Sequence, residues 1–336
     1  MHLSFFKYLY HFGAIPLLLW RVWRRLSLQK RFLKKWLMPE IGSRMEANDG
    51  TIVEEDIRKI EKYYGLAVPA ILAEAYADLR GKRLTERERR AATYLGAATG
   101  LFDDYFDRGS LPDDYLKNLY TFPEQFTGQN SNERLTNFCW ANALSNTRSP
   151  ALLMEYAAKV HEAQIESRGQ TLQSLSEAGL RQVTFDKGGY SVIFYLSLFY
   201  EQMPKADENL FYQTGALLQL ENDLFDVYKD YQAGIKTLVT SAGSIRALRQ
   251  EYQLLWENLK QSMAPTHYPA GGKRAFKQLI CALVCRGFVC LDMLEKLEAQ
   301  NKGVFNPAAF TRKELICDME KPANLLRTIR YYILMF

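Results

Sequence analysis

The sequence predicts an all-α protein, built as one large helical bundle. Three observations carry that expectation. Apolar residues recur at helical spacing along most of the chain, strand-type alternation is nearly absent, and helix start and stop signals recur throughout. The 336 residues are 48% hydrophobic and 13% aromatic, enough for a large core. No linker rich in Pro, Gly or Ser and no internal repeat divides them. We therefore expect a basic amphipathic segment over 1–40 and a single helical domain over 41–336.

The first 36 residues carry Lys7, Arg21, Arg24, Arg25, Lys30, Arg31, Lys34 and Lys35 and no acid. Phe5, Phe6, Trp20, Trp23 and Trp36 are interleaved with them. The uncharged run from Tyr8 to Trp20 is too short to span a bilayer, and no small-residue cleavage site follows it. Two readings stand side by side: peripheral contact with a membrane through residues 1–36, or a first helix that covers the domain with its charges in water. No nucleic-acid motif surrounds the basic residues, so no nucleic-acid partner is expected.

Thr51 and Glu54 read as a capping box ahead of IVEEDIRKIEKYY, and Thr85 and Glu88 as another. The second opens a helix that Gly109 and Pro112 should stop. Asp113 and Asp114 then read as solvated loop residues. Ser149-Pro150 starts a long helix through Glu166 and Arg168. A segment from about Glu177 should be interrupted at Gly188-Gly189, because glycine costs a helix about 1 kcal/mol relative to alanine. Either a break or a close backbone approach is implied there. A helix from about Asp207 to Gln232 should end at Gly234. Helices over about 243–262, 272–300 and 311–334 complete the chain. Pro265, Pro269 and Gly271-Gly272 mark a mobile loop between them.

The five cysteines form no metal pattern, and Cys281 and Cys285 read as small core residues. Their odd number and the lack of an export signal favour a reducing cytoplasm, with the inner face of the membrane as a peripheral site. Four scattered histidines make a zinc site or a His-based triad improbable.

The chemistry concentrates in two acidic clusters. One is Asp103-Asp104-Tyr105-Phe106-Asp107; the other runs from Asn222-Asp223 through Asp226 to Asp230. Each follows an apolar, helix-forming stretch (LGAATGLF and TGALLQL). Several carboxylates in such surroundings are costly unless cations neutralise them. Asp103 and Asp107 are one helical turn apart, with Asp104 beside them. Gln219, Asn222, Asp226 and Asp230 follow steps of three, four and four, which makes a polar stripe. Oxygen donors without His or Cys suit Mg²⁺, which bridges carboxylates to substrate phosphates.

These residues resemble a known superfamily. DDYFD is similar to the DDxxD motif of class I terpenoid synthases. NDLFDVYKD is similar to the second metal motif of terpene cyclases, with Asp226 in place of Ser/Thr and Asp230 in place of Glu. Gln219 with Asn222, Asp226 and Asp230 also resembles the QxxN…DxxxD run of squalene and phytoene synthases. The cluster separation of about 120 residues suits that branch. The resemblance covers residues 95–110 and 185–240.

The resemblance implies an all-α bundle around a central apolar cavity, and Mg²⁺ as cofactor, three ions in all. Asp103, Asp104 and Asp107 would hold metal from one wall, and Asn222, Asp226 and Asp230 from the opposite wall. Terpene cyclases carry an Arg diphosphate sensor ahead of the second motif, where this chain has Glu177. Arg168, Arg181 or Lys187 would substitute. Gln219, Lys229 and Lys236 complete the diphosphate side, and Arg330-Tyr331 is similar to a C-terminal Arg-Tyr pair of bacterial cyclases. Tyr105, Phe106, Tyr190 and Phe194 would line the path of a carbocation. The function implied is a Mg²⁺-dependent terpene synthase that ionises one prenyl diphosphate and cyclises it or eliminates a proton. A prenyltransferase that joins two prenyl diphosphates is the second expectation. A non-catalytic prenyl-lipid-binding protein at the membrane surface is the third. Homodimers are common in the superfamily.

Overall fold

Local capping by side chains sets where about half of the helices begin. The computed structural model describes residues 2–108, 111–171 and 175–336; the side chains of 2–12, 14, 103, 104 and 106–108 lie outside the description. In order, the helices are α1 (His2–Trp36), α2 (Met38–Met45), α3 (Glu54–Lys59), α4 (Glu74–Leu79), α5 (Glu86–Arg108), α6 (Asp113–Thr121) and α7 (Ser131–Asn146). They continue as α8 (Pro150–Ser167), α9 (Glu177–Ser197), α10 (Lys205–Gln232), α11 (Ile245–Ser262), α12 (Ala270–Gln300), α13 (Arg312–Leu315) and α14 (Pro322–Met335). Two π-helical turns, Ile60–Tyr64 and Pro69–Ala73, join α3 to α4. No strand occurs among the described residues.

The capping box at α5 forms as expected. The Thr85 N–H donates to Glu88 Oε2 at 2.8 Å, and the Glu88 N–H to Thr85 Oγ1 at 3.2 Å. Ser149 caps α8 by accepting from the Leu152 N–H at 3.3 Å. The box expected at Thr51 does not form. Asp49 takes the Thr51 hydroxyl at 2.5 Å, and α3 is capped instead by Asp56, which accepts from the Val53 N–H at 2.9 Å.

Three other expectations are corrected, and of the two readings open at Gly188-Gly189 the close backbone approach is the one observed. Asp113 and Asp114 lie in the first turn of α6, which Pro112 opens, and not in a loop. Gly109 lies outside the described residues. The helix expected over 311–334 is two, α13 and α14, because Pro322 can start a helix but cannot continue one. The segment before α12 is anchored. Tyr268 donates to Asp207 at 2.6 Å, and Lys273 Nζ donates to the carbonyls of Ala264 and Thr266 at 3.2 and 2.7 Å. Finally, α9 runs unbroken through Gly188-Gly189. These glycines, with Gly215, let α9 and α10 pack backbone to backbone: a Cβ on Gly188 would overlap the Gly215 carbonyl oxygen and stand 2.5 Å from Gln219 Cβ.

One buried apolar cluster extends from Leu18 and Leu33 of α1, through Leu95, Trp140, Leu217 and Val289, to Tyr332 of α14. Helix polarity within it matters for the site. Arg87, at the start of α5, donates to the Thr147 carbonyl at 2.9 Å, and Thr147 Oγ1 donates to the Leu198 carbonyl after α9 at 3.0 Å. The start of α5 therefore meets the end of α9, and the two helices run in opposite directions. The C-terminal half of α10 returns along α9 toward the far end. There Arg168, after α8, makes a bidentate contact with Asp113 of α6 at 2.9 Å, and Gln170 exchanges hydrogen bonds with Lys236. The end of α5 and the end of α10 thus lie toward the same end of the bundle.

Candidate functional site

Packing of α9 against α10 decides which side of α10 carries the chemistry. Gly215 and Leu217 are buried, and Gln219, Asp223, Asp226 and Asp230 follow steps of four, three and four. At 100° per residue these four fall within about 60° of arc. Asn222 lies outside that arc and is exposed, although its Nδ2 reaches Asp226 Oδ2 at 3.4 Å. Asp223, outside the expected ligand set, is the most buried carboxylate of the stripe at 5% exposure. Gln219 Nε2 donates to its Oδ1 at 2.9 Å. The signal that could have found it was the four-three-four spacing from Gln219.

The electrostatics are those of crowded acids. Burial first, then the neighbouring Asp230 and Asp226 charges, push the Asp223 carboxyl up to about 7 against the opposing Gln219 and Lys187. Burial and the Asp226 charge push Asp230 up to about 6, with Lys229 and Lys187 opposing. The Lys187 charge on α9 thus opposes protonation of both carboxyls. Lys229 is exposed, 3.9 Å from Asp226. On the side of α10 that meets α12, buried Glu221 pairs with Arg286 at 2.8 and 3.0 Å, yet burial still pushes its carboxyl up to about 7.

Raised carboxyl pKa values bind the proton more tightly in the folded state. Their contribution is favourable below the unfolded values near 4 and is lost as pH rises through 6 to 7. In metal-free buffer the protein is expected to melt at a higher temperature near pH 5 than near pH 8, by on the order of a few kcal/mol of stability. Thermal denaturation in EDTA checks this, and a melting temperature that climbs steadily toward pH 8 would contradict it.

A small apolar cavity lies beside this end. Leu95, Ala98, Thr99 and Phe102 of α5 line it with Trp140, Val160, His161 and Phe194. Its volume is about 70 Å³, room for about two waters at ~30 Å³ each. As lined by the described residues, it is smaller than a prenyl chain. Lys187, Ser191 and Phe194 share one face of α9, so the cavity wall and the Lys187 cation belong to a single stripe. On α5, Phe102 immediately precedes Asp103. The side chains of Asp103, Asp104, Phe106 and Asp107 lie outside the described residues; their backbone continues α5 toward the same end as the α10 stripe.

The other candidates are dispersed. Tyr105 turns toward α7, where its hydroxyl meets Asn132 Oδ1 at 2.5 Å and Thr136 Oγ1 at 3.0 Å. Tyr190 packs edge-on to Tyr212, ring centroids 5.7 Å apart. Arg181 is held by Glu251 and Glu177, and with Lys236 it lines a separate cleft of about 650 Å³ between α9 and α11. Arg168 is committed to Asp113. Tyr331 donates to Asp292 at 2.7 Å and stacks on Phe288, and Arg330 lines a different cleft together with Tyr331 and Asp292. Residues 288 and 292 of α12 lie about 200° from Arg286 and Cys290, which contact α10, so the Arg-Tyr pair sits on another side of the bundle.

Among the described residues, no three His, Cys, Asp or Glu side chains converge as a ready metal-holding group. The α10 stripe alone is thus not a closed cage. Its donor chemistry does fit a hard cation: carboxylate and amide oxygens, partly buried and under mutual repulsion. No protein-family model matches the chain, and no curated protein matches it. No described helix is long and apolar enough to cross a membrane.

Proposed function

We propose that this chain is a class I terpene-synthase-like enzyme that ionises a prenyl diphosphate in a Mg²⁺-dependent reaction. What supports the reading is that the ends of α5 and α10, whose sequences carry the two acidic clusters, lie toward the same end of the bundle, and that an aromatic-lined apolar cavity borders α5 and α9. Asp226 and Asp230 from α10, with Asn222 at the stripe's edge and Asp103, Asp104 and Asp107 from α5, would hold Mg²⁺. The bound ions would supply electrostatic stabilisation of the departing diphosphate.

The chain's own residues supply the rest. Lys187 places a fixed positive charge beside the stripe and favours negative charge developing on the leaving group. The allylic carbon–oxygen bond breaks with its electron pair leaving on diphosphate, and the prenyl fragment becomes a cation. Phe194 and Trp140 present aromatic faces that stabilise positive charge. Their apolar surroundings exclude the water that would trap the cation as an alcohol. Loss of a proton, before or after ring closure, then yields a hydrocarbon. The cavity must widen to admit substrate, and Phe102, Tyr120, Trp140 and Phe194 are its aromatic walls.

A second reading, condensation of two prenyl diphosphates, draws on the position of Gln219 in the stripe with Asp223. One assay separates the two. Purified protein with Mg²⁺ is incubated with prenyl diphosphates of increasing chain length, singly and in pairs. A cyclised or eliminated product from one substrate supports the synthase; a product with the summed carbon count supports condensation. No diphosphate release from any substrate would reject both.

A further inference from the structure

The two terminal helices form a surface that the rest of the fold leaves uncovered. α1 turns Leu18, Arg25, Gln29 and Leu33 inward, with Arg25 bonded to Asp78 at 2.5 Å and Gln29 to the Gly65 carbonyl at 2.9 Å. Its other side exposes Leu17, Leu19, Trp20 and Trp23, the last 65% exposed. The following turns carry Arg24, Lys30, Arg31, Lys34 and Lys35, and none of these five has a carboxylate partner among the described residues. α14 packs against α1 and adds exposed Leu325, Leu326 (67%) and Leu334, with Arg327 and Arg330 and no acid. Between them, the start of α12 brings Arg274 into a cleft with Leu17 and Arg21, and Lys273 and Lys277 beside Phe336.

We propose that α1 and α14 together form a docking face for an anionic lipid bilayer. Exposed Trp and Leu enter the boundary between headgroups and acyl chains, and the cations lie at the headgroup phosphates. The charge complementarity is one-sided over both helices, since neither contains an acidic residue. A protein partner fits less well: interface cores are depleted of lysine, and this face has lysine throughout its basic half. Contact is with the surface because no described helix can cross. The inference does not depend on the catalytic reading, and its test uses no substrate.

The full chain is sedimented with vesicles of phosphatidylcholine alone and of phosphatidylcholine mixed with phosphatidylglycerol. Binding is expected to the mixed vesicles only, and to fall as salt is raised. The triple change Arg24→Gln, Arg31→Gln and Lys34→Gln should weaken it roughly hundredfold. Trp20→Ser with Trp23→Ser, and separately Leu325→Ser with Leu326→Ser, should each weaken it about tenfold or more. All are surface changes, and unchanged helical circular dichroism and melting verify the fold. Equal binding to both vesicle types, or to neither, overturns the proposal. So does an unaffected α14 variant, which would confine any contact to α1. Light scattering that shows a dimer lost in the leucine variant would instead assign the face to a second copy of the chain, and would equally overturn it.

Discussion

Gly215→Ala is expected to be among the most destabilising single-methyl additions this chain can suffer, costing about 3 kcal/mol or more. A Cβ at that position would overlap the Gly188 carbonyl oxygen and stand 2.8 Å from Gly189 Cα. Both obstacles are backbone, so no rotamer change relieves them. The helices must separate, and separation uncovers the close-packed seam that α9 and α10 share. A loss of roughly 4 °C or more in melting temperature follows for a domain of this size. Gly188→Ala meets the same seam from the other side and should cost as much. Gly42→Ala is the contrast: it lies within α2 with nothing within 4 Å of the new methyl, and alanine should stabilise by up to ~1 kcal/mol. Thermal or denaturant melts of the three variants test the seam directly, and a Gly215→Ala protein as stable as wild type would mean that α9 and α10 are not in close contact.

That seam also shows what the sequence could and could not reveal. Helix starts governed by neighbours three residues away were legible: Thr85 with Glu88, and Ser149-Pro150. So was the end of α10 at Gly234, whose φ of 68° suits glycine. Gly188-Gly189 was ambiguous because propensity sees only the cost of glycine within a helix. The compensating partner, Gly215, lies on another helix. Likewise, spacing alone placed Asn222 and Asp226 on a stripe but could not say which edge of it faces α9. Packing turned Asp223 inward and left Asn222 in water. Arg181 had the right charge and approximate position for a diphosphate sensor. Its neutralising partner, Glu251, is 70 positions away, beyond the reach of any local pattern. The all-α class was legible because helical periodicity is a property of each segment. How much cavity the helices enclose is a property of their mutual packing.

Asp226→Ala is expected to lower the rate of diphosphate release by about two to three powers of ten, equivalent to about 3–4 kcal/mol of transition-state stabilisation. Asp226 is the least buried carboxylate of the stripe, so its removal leaves no cavity in the core and little loss of folding stability is expected. It also raises its neighbours' affinity for protons, since its charge pushes up both Asp223 and Asp230. The same substitution should therefore lower those two carboxyls and flatten the fall in stability between about pH 5 and pH 8. Added Mg²⁺ should stabilise wild type more near pH 8 than near pH 5, because protons and cations compete for the same oxygens. In Asp226→Ala that stabilisation should shrink. Lys187→Gln should act oppositely on the carboxyls, raising them by removing the charge that opposes their protonation. Activity should still fall, because a cation beside the leaving group is gone. Melting curves with and without Mg²⁺ therefore report on the cation site even before a substrate is known. A wild-type protein whose melting is indifferent to Mg²⁺ at pH 8, with diphosphate release unchanged in Asp226→Ala, would remove α10 from the chemistry and leave the helical bundle without its proposed reaction.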